Sequence, residues 1–319
     1  MKKSALTLAL ATIAASLTTV AHAETVEVKL PTFYGKLNVT QVFVQQENGA
    51  NYSVLNSNAS RIGLKGDIAL NYGLTAIYQA EYEVFADNGK DDKSNAFKQR
   101  NTFVGVEGAF GLVQAGIFDS ALKLSQNKVD LFNDLEGDIK NIVTNSDNRT
   151  ENTVRYMSPS LGGVVITLDH INGEAVEGDN GTDYQNNGLS SSVAYTLGGW
   201  YVAYAYDNGV ETEGTEVQRL VTQYNVANVQ LGLLVEQEET DGVNEDGGVA
   251  SVAVKLSDVT LKAQYAMSDI RAIGAESYSL GADYKLAKTA KAFVYATNTE
   301  KSEDADSTQF YGAGVEYKF

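Results

Sequence analysis

No cysteine occurs anywhere in this chain, and prolines number only two, Pro31 and Pro159. The first absence excludes disulfides and thiolate chemistry, so whatever holds an exported form of this chain together is not a covalent staple. The second, with no Pro- or Ser-rich stretch, leaves no linker to split the length into two domains. Histidine is almost missing: beyond the first 23 residues only His170 remains. With no Gly-x-Ser-x-Gly segment either, a hydrolase would lack a base beside a nucleophile. His170 shares parity with Val164, Ile166 and Leu168, which places it near the rim of an apolar face. Positive charge is scarce too: 24 Lys and Arg stand against 41 Asp and Glu, a net charge of −17. That balance disfavours nucleic acid and anionic surfaces as partners and favours attraction of cations. After the first 23 residues, no apolar run approaches the roughly 20 residues of a membrane-crossing helix.

The start of the chain differs from the rest. Lys2 and Lys3 precede the apolar run ALTLALATIAASLTTV and the small-residue site Ala21-His22-Ala23. This is the pattern of a secretory signal peptide over 1–23, leaving 24–319 as the mature chain. Losing the two leader lysines takes the net charge from −17 to −19.

Alternation of polar and apolar residues dominates the mature chain. Tyr311, Ala313, Val315, Tyr317 and Phe319 share one face, with Gly312, Gly314, Glu316 and Lys318 on the other. Sixteen such segments run from 32–46 to 308–319, the second of them over 58–71. Joints alternate in length. Short ones such as Asn71-Tyr72-Gly73, Leu197-Gly198-Gly199 and Ser257-Asp258 alternate with long polar segments at 86–96, 172–187, 238–248 and 300–307. Short turns on one side and long loops on the other, with an even strand number, predict an all-β fold: a 16-stranded antiparallel transmembrane β-barrel. Aromatics gather near strand ends (Phe33, Tyr72, Tyr284, Tyr317, Phe319), as interfacial girdles do. A soluble sandwich of sixteen strands would be unusually large, and a solenoid would need a fixed repeat, which is absent.

In such a barrel the apolar face meets lipid and the polar face lines the interior. Lys36 and Arg61 then point inward by parity, as does Lys65. Arg100 shares parity with Val104 and Val106, but a cation facing lipid costs roughly 2–4 kcal/mol, so it too belongs to the lumen. Arg155 points inward if Val154 and Tyr156 face lipid. One stretch breaks the pattern: VDLFNDLEGDIKNIVTNSDN, 129–148, too long for a turn and rich in acids.

The segments FYGKLNVT (33–40), SRIGLKGDI (60–68), RNTFVGVEGAFGLVQAGIFD (100–119), NRTENTVRYMSPSLGG (148–163) and the strand ending in Phe319 resemble the general diffusion porins of Gram-negative outer membranes. The resemblance spans the mature chain. It implies an outer-membrane homotrimer, with loop 86–96 reaching a neighbour. It also implies a third loop, 119–151, folded into the barrel to narrow the pore, and a terminal Phe319 read by the barrel assembly machinery. A basic wall of Lys36, Arg61, Arg100 and Arg155 is expected to face loop acids Asp130, Asp134, Glu136 and Asp138. The Pro-Glu-Phe-Gly-Gly type stretch of enteric members is absent from this loop.

The expected function is passive diffusion of ions and small hydrophilic solutes, with cations preferred because of the net charge. Lipid and lipopolysaccharide are the expected surroundings. An adhesin or phage receptor acting through external loops is the rival reading. No cofactor and no metal site is expected, apart from divalent cations that acidic loops such as 238–246 or 300–306 could bind. NEDGG lacks the full calcium-loop spacing.

Overall fold

The computed structural model describes residues 30–319 apart from 92, 179–180 and 185–186. The expected leader, 1–23, lies outside the described residues. The chain forms strands β1 (Thr32–Gln46), β2 (Tyr52–Ser57), β3 (Arg61–Ala69), β4 (Thr75–Val84), β5 (Phe97–Gly108), β6 (Gly111–Asp119), β7 (Arg149–Met157) and β8 (Val164–Ile171). After a small separate hairpin, β9 (Ala175–Gly178) with β10 (Gly181–Tyr184), come β11 (Gly188–Leu197), β12 (Trp200–Asn208), β13 (Thr215–Val226) and β14 (Val229–Thr240). The last five are β15 (Val243–Leu256), β16 (Val259–Ser268), β17 (Ala275–Lys285), β18 (Ala290–Glu300) and β19 (Thr308–Lys318).

Every neighbour in the main sheet is antiparallel, and β1 pairs with β19 from Lys36↔Lys318 to Gln46↔Thr308, which closes the cylinder. β2 and β3 act as one stave, both paired to β1, so the closed sheet has sixteen. Closure matters because an unpaired edge in hydrocarbon costs several kcal/mol per backbone group. Large apolar side chains such as Phe43, Val104, Leu233, Leu280 and Val315 stand exposed on the outer face. Aromatic pairs mark the strand ends, with Trp200 on Tyr224 at 4.3 Å and Tyr265 on Tyr278 at 4.7 Å. An apolar band with aromatic rims is the surface a bilayer covers.

The terminal residue takes part in the seam. Phe319 N–H donates to the Gly35 carbonyl and Gly35 N–H to the Phe319 carbonyl, at 3.1 and 2.9 Å. The Phe319 ring lies directly over Gly35: a Cβ there would sit 2.3 Å from the ring and 2.9 Å from the Arg61 carbonyl. We expect Gly35→Val to overpack the closure by about 1–3 kcal/mol. The check is a lower temperature for conversion of the compact to the unfolded band on unboiled gels. An unchanged temperature would mean that this contact does not support closure.

Three expectations require correction. The second stave begins at Tyr52 rather than 58 and is broken at 58–60, where Ala59 takes φ 47°. Segment 238–248 is not a loop: β14 and β15 continue through it and meet at Asp241-Gly242, both at positive φ. Asp-Gly between strands is the sequence of a tight hairpin turn. Its flanking acids project beyond the membrane, where a strand needs no apolar face, so alternation gives no signal. Segment 172–187 likewise contains the β9–β10 hairpin.

Candidate functional site: the lumen and its docked loop

Residues 120–148, between β6 and β7, lie inside the barrel. They leave through α1 (Ala121–Ser125), whose first turn is capped by Ser120 Oγ accepting Lys123 N–H. Asp169 on β8 and Ser190 on β11 accept the N–H groups of Ala121 and Leu122 at 2.8 and 3.1 Å. The chain then follows the inner wall as far as β1, where Asp134 meets Lys36, and turns back at 134–138, so that Ile139 N–H reaches Asp130 across the two legs. Its underside is apolar. Val129, Ile139, Ile142 and Val143 form a closed cluster with Ala203, Val221, Leu234, Val249, Ala266 and Ala275 of the wall. Phe132 packs with Phe293 and Tyr295. Wall glycines leave the space: a Cβ at Gly232 would meet Val129 at 3.1 Å, at Gly247 Val143 at 3.0 Å, and at Gly281 Phe132 at 3.0 Å. The interior is therefore not uniformly polar, contrary to the sequence expectation. From β12 to β18 it carries an apolar strip that the loop covers.

Polar anchors complete the docking. Gln264 on β16 accepts Leu131 N–H at 2.8 Å and donates to Asp130 and the Gly137 carbonyl at 3.2 and 2.9 Å. Arg219 on β13, fully buried, donates to Glu236 on β14, the Leu122 carbonyl, Thr144 Oγ1 and Asp147, gripping both legs of the loop at once.

The eight expected site residues fall into distinct settings. Lys36 and Asp134 form an ion pair at 2.9 Å, with Arg61 4.0 Å from the same carboxylate oxygen. Arg100 reaches Glu81 at 2.8 Å and Glu83 at 2.9 Å, and Glu81 also lies 3.6 Å from Arg61. These residues form one alternating chain of charge. Arg155 sits on the inner wall but apart from it, 3% exposed, doubly bonded to Asp169 at 2.6 Å and to the Asp119 carbonyl at 2.7 Å. It braces the root of the loop. Asp130 does not reach the basic wall; it accepts Phe132 and Ile139 N–H groups and so ties the two legs together. Asp138 closes the tip by accepting the N–H groups of Asp134 and Lys140. Glu136 meets Tyr295 and the side chain of Asn56. Of the four acids, Asp134 alone pairs with the expected wall.

The inward direction of Arg100 has a local cause. Between Ala80 and Tyr82 the β4–β5 register shifts by one residue, from Ala80↔Thr102 to Tyr82↔Gln99. This β-bulge puts an extra residue in β5 and resets its parity. Arg100 and Asn101 both gain inward positions, while Val104 stays on the lipid face.

Electrostatics within the loop follow from burial. Burial, with Asp138 close by, pushes the Asp130 carboxyl above its usual range, against the N–H donors that favour its charged form. Burial acts the same way on Asp134, but Lys36 and Arg61 outweigh it and hold that carboxyl below the usual range. The loop tip is thus fixed to the wall by a carboxylate that stays charged.

Glu81, Glu83, Asp119, Arg149 and Arg219 were not anticipated. Arg149 bonds Asp119 at 2.8 Å and Asn101 at 2.6 Å, tying the loop root to β5 next to Arg100. Parity along Gln79-Ala80-Glu81-Tyr82-Glu83 would have found the two glutamates. Among the described residues no three His, Asp or Glu side chains converge as metal ligands.

A family model described as Gram-negative porin matches residues 7–319. The major outer membrane protein P.IB of Neisseria meningitidis is 28% identical over 286 residues, covering 82% of this chain and 83% of that one. The outer membrane porin protein 32 of Delftia acidovorans is 28% identical over 331 positions, covering 97% and 83%. Among solved structures, the anion-selective porin from Comamonas acidovorans superposes with a TM-score of 0.75 at 20% identity, covering 91% of this chain and 99% of that one. Salmonella typhi OmpF gives 0.73 at 16% identity, covering 91% and 97%. A closed barrel of sixteen staves, a loop docked in its lumen and a family match over nearly the whole length lead to one conclusion: this chain belongs to the Gram-negative porin family and is a protein of the outer membrane.

Proposed function

We propose that this chain forms a water-filled channel for passive diffusion of ions and small hydrophilic solutes, narrowed by loop 119–151 and preferring cations. The observation that carries the reading is the loop itself, seated inside the lumen on an apolar strip and tied to the wall through Asp134, Gln264 and Arg219. A sixteen-stranded barrel is wide enough for an aqueous path, and a segment docked inside it sets the bore. An adhesin working only through its outer loops has no use for that device. Family resemblance supports a homotrimer and a role for Phe319 in assembly.

The sign of the ion preference is a separate matter, since the Comamonas porin is described as anion-selective. In this chain the narrow part is close to charge balance, because Lys36, Arg61, Arg100, Arg149 and Lys140 all have acids beside them. The excess negative charge lies on the outer loops and strand ends. Such charge acts over ~10 Å at 0.1 M salt and ~3 Å at 1 M. Reversal potentials in planar bilayers should therefore show potassium favoured over chloride by ~2–4-fold near 0.1 M KCl, falling towards parity near 1 M. Chloride preference at low salt would refute the cation assignment. Absence of conductance in a folded, heat-modifiable sample would refute the channel.

A further inference from the structure

We propose that the pore is electrically polarised along its axis, an acidic outer mouth in series with a lysine-rich inner mouth, and that it passes more current in one direction than in the other. This rests on the reading of the chain as an open channel. The outer side, where the long loops are, exposes Glu47, Glu211, Glu239, Asp241, Glu303 and Asp304. Against these and further acids stand, among the described residues, Lys90, Lys93, Lys98, Arg271 and Lys301. The short-turn side is reversed over one arc. From the end of β15 to the end of β19 it carries Lys255, Lys262, Lys285, Lys288, Lys291 and Lys318, against Asp258, Asp283 and Glu316.

The strand lysines of this arc face the lumen. Lys262 and Lys291 both bond the single carboxylate of Asp283, at 3.0 and 2.9 Å, so that acid is overcompensated. Lys318 pairs with Glu316 at 3.0 Å yet stays 60% exposed. Lys285 and Lys288 form no ion pair among the described residues and are exposed. A cavity of about 240 Å³ opens here, lined by four lysines, Lys285, Lys288, Lys291 and Lys318, against the three acids Asp258, Asp283 and Glu316. None of these side chains belongs to the charged chain at the loop tip.

Two mouths of opposite sign in series make conduction depend on direction. With the loop side positive, cations enter through the acidic mouth and anions through the lysine mouth. Both accumulate at the constriction and conductance rises. With the voltage reversed, each mouth rejects the ion driven towards it and the constriction is depleted.

The test records single-channel current at equal and opposite voltages, from protein added on one side. In ~0.05 M KCl the two directions should differ by about 1.5–2-fold, and in ~1 M KCl, where charge reaches only ~3 Å, they should be equal. The triple variant K285Q/K288Q/K318Q should keep wild-type conductance in 1 M KCl while its low-salt ratio falls towards one. Lys288→Gln alone, in an exposed turn, should lower the ratio partway and covers the case in which the triple variant does not assemble. Equal currents at low salt from a conducting channel would overturn the proposal, as would an undiminished ratio in the lysine variants. A folded protein that conducts nothing would instead strike at the channel reading.

Discussion

Replacing Arg219 with methionine should loosen the root of the lumen loop, raising open-channel noise and mean conductance. Arg219 is fully buried and donates to the outgoing leg at the Leu122 carbonyl and to the returning leg at Thr144 and Asp147. Methionine keeps much of the volume but strands Glu236 without its cation and leaves Asp147 only Lys123, 3.9 Å away. Removing one partner of a buried pair costs about 3–5 kcal/mol, much more than deleting the pair together. The backbone ladder of the barrel does not pass through Arg219's side chain, so the loss falls on loop docking. Docking is not abolished, because the two legs retain three apolar seats, Val129, Phe132 and Val143, each contributing about 1.5–3 kcal/mol by burial. The expected result is a root that detaches intermittently, with mean conductance up by less than ~2-fold and a higher size limit in liposome swelling with sugars. The double variant R219M/E236Q removes one stranded acid and should recover part of the quiet wild-type behaviour. Unchanged noise and an unchanged size limit in R219M would mean that the loop holds by its apolar seats alone.

The barrel was legible from sequence because its outer face repeats every two residues over long distances. Val229, Leu231, Leu233 and Val235 are each dictated by lipid. The same rule failed where lipid does not reach. Above the membrane, Glu238 to Gly248 satisfy their backbones as strand without any apolar face, and the Asp241-Gly242 turn was the one cue. Inside the lumen, Leu234 and Val221 face inward beside the outward Leu233 and Leu220. Such doubled apolar residues interrupt the alternation because they serve as a floor for the loop. Lys36 and Arg61 were recoverable as inward cations by parity and Arg100 on energetic grounds, and for Arg100 the bulge at Ala80/Tyr82 supplies the geometry that parity could not. Loop acids were a harder case. Asp130, Asp134, Glu136 and Asp138 are alike in sequence, and only the path of the loop assigns one to the basic wall and one to the tip, ties another across the legs and seats the last against Tyr295 and Asn56.

Neutralising Glu81 should move the ion preference at the constriction itself. Its carboxylate accepts from Tyr34 Oη at 3.0 Å and Arg100 Nε at 2.8 Å, with Arg61 3.6 Å away. Glu81→Gln keeps the shape and one acceptor for Arg100 but removes the charge that balances two guanidinium groups. The remaining acids nearby, Glu83 and Asp134, are already committed to Arg100 and Lys36. One unit of positive charge is thereby left unbalanced in the lumen beside the docked loop, where, on the proposed reading, field strength decides selectivity. The potassium-to-chloride permeability ratio should fall by ~2-fold or more, and a good part of that fall should persist in 1 M KCl, since charges partly buried in the wall are screened much less than those on the outer loops. Persistence at high salt distinguishes this residue from the outer acids, whose influence fades with screening. Heat-modifiability should match wild type, because Glu81 contributes no backbone pairing that glutamine lacks. If the permeability ratio of E81Q equals that of wild type at both salt concentrations, the solute path does not run past Arg61 and Arg100, and the open side of the lumen lies elsewhere along the wall.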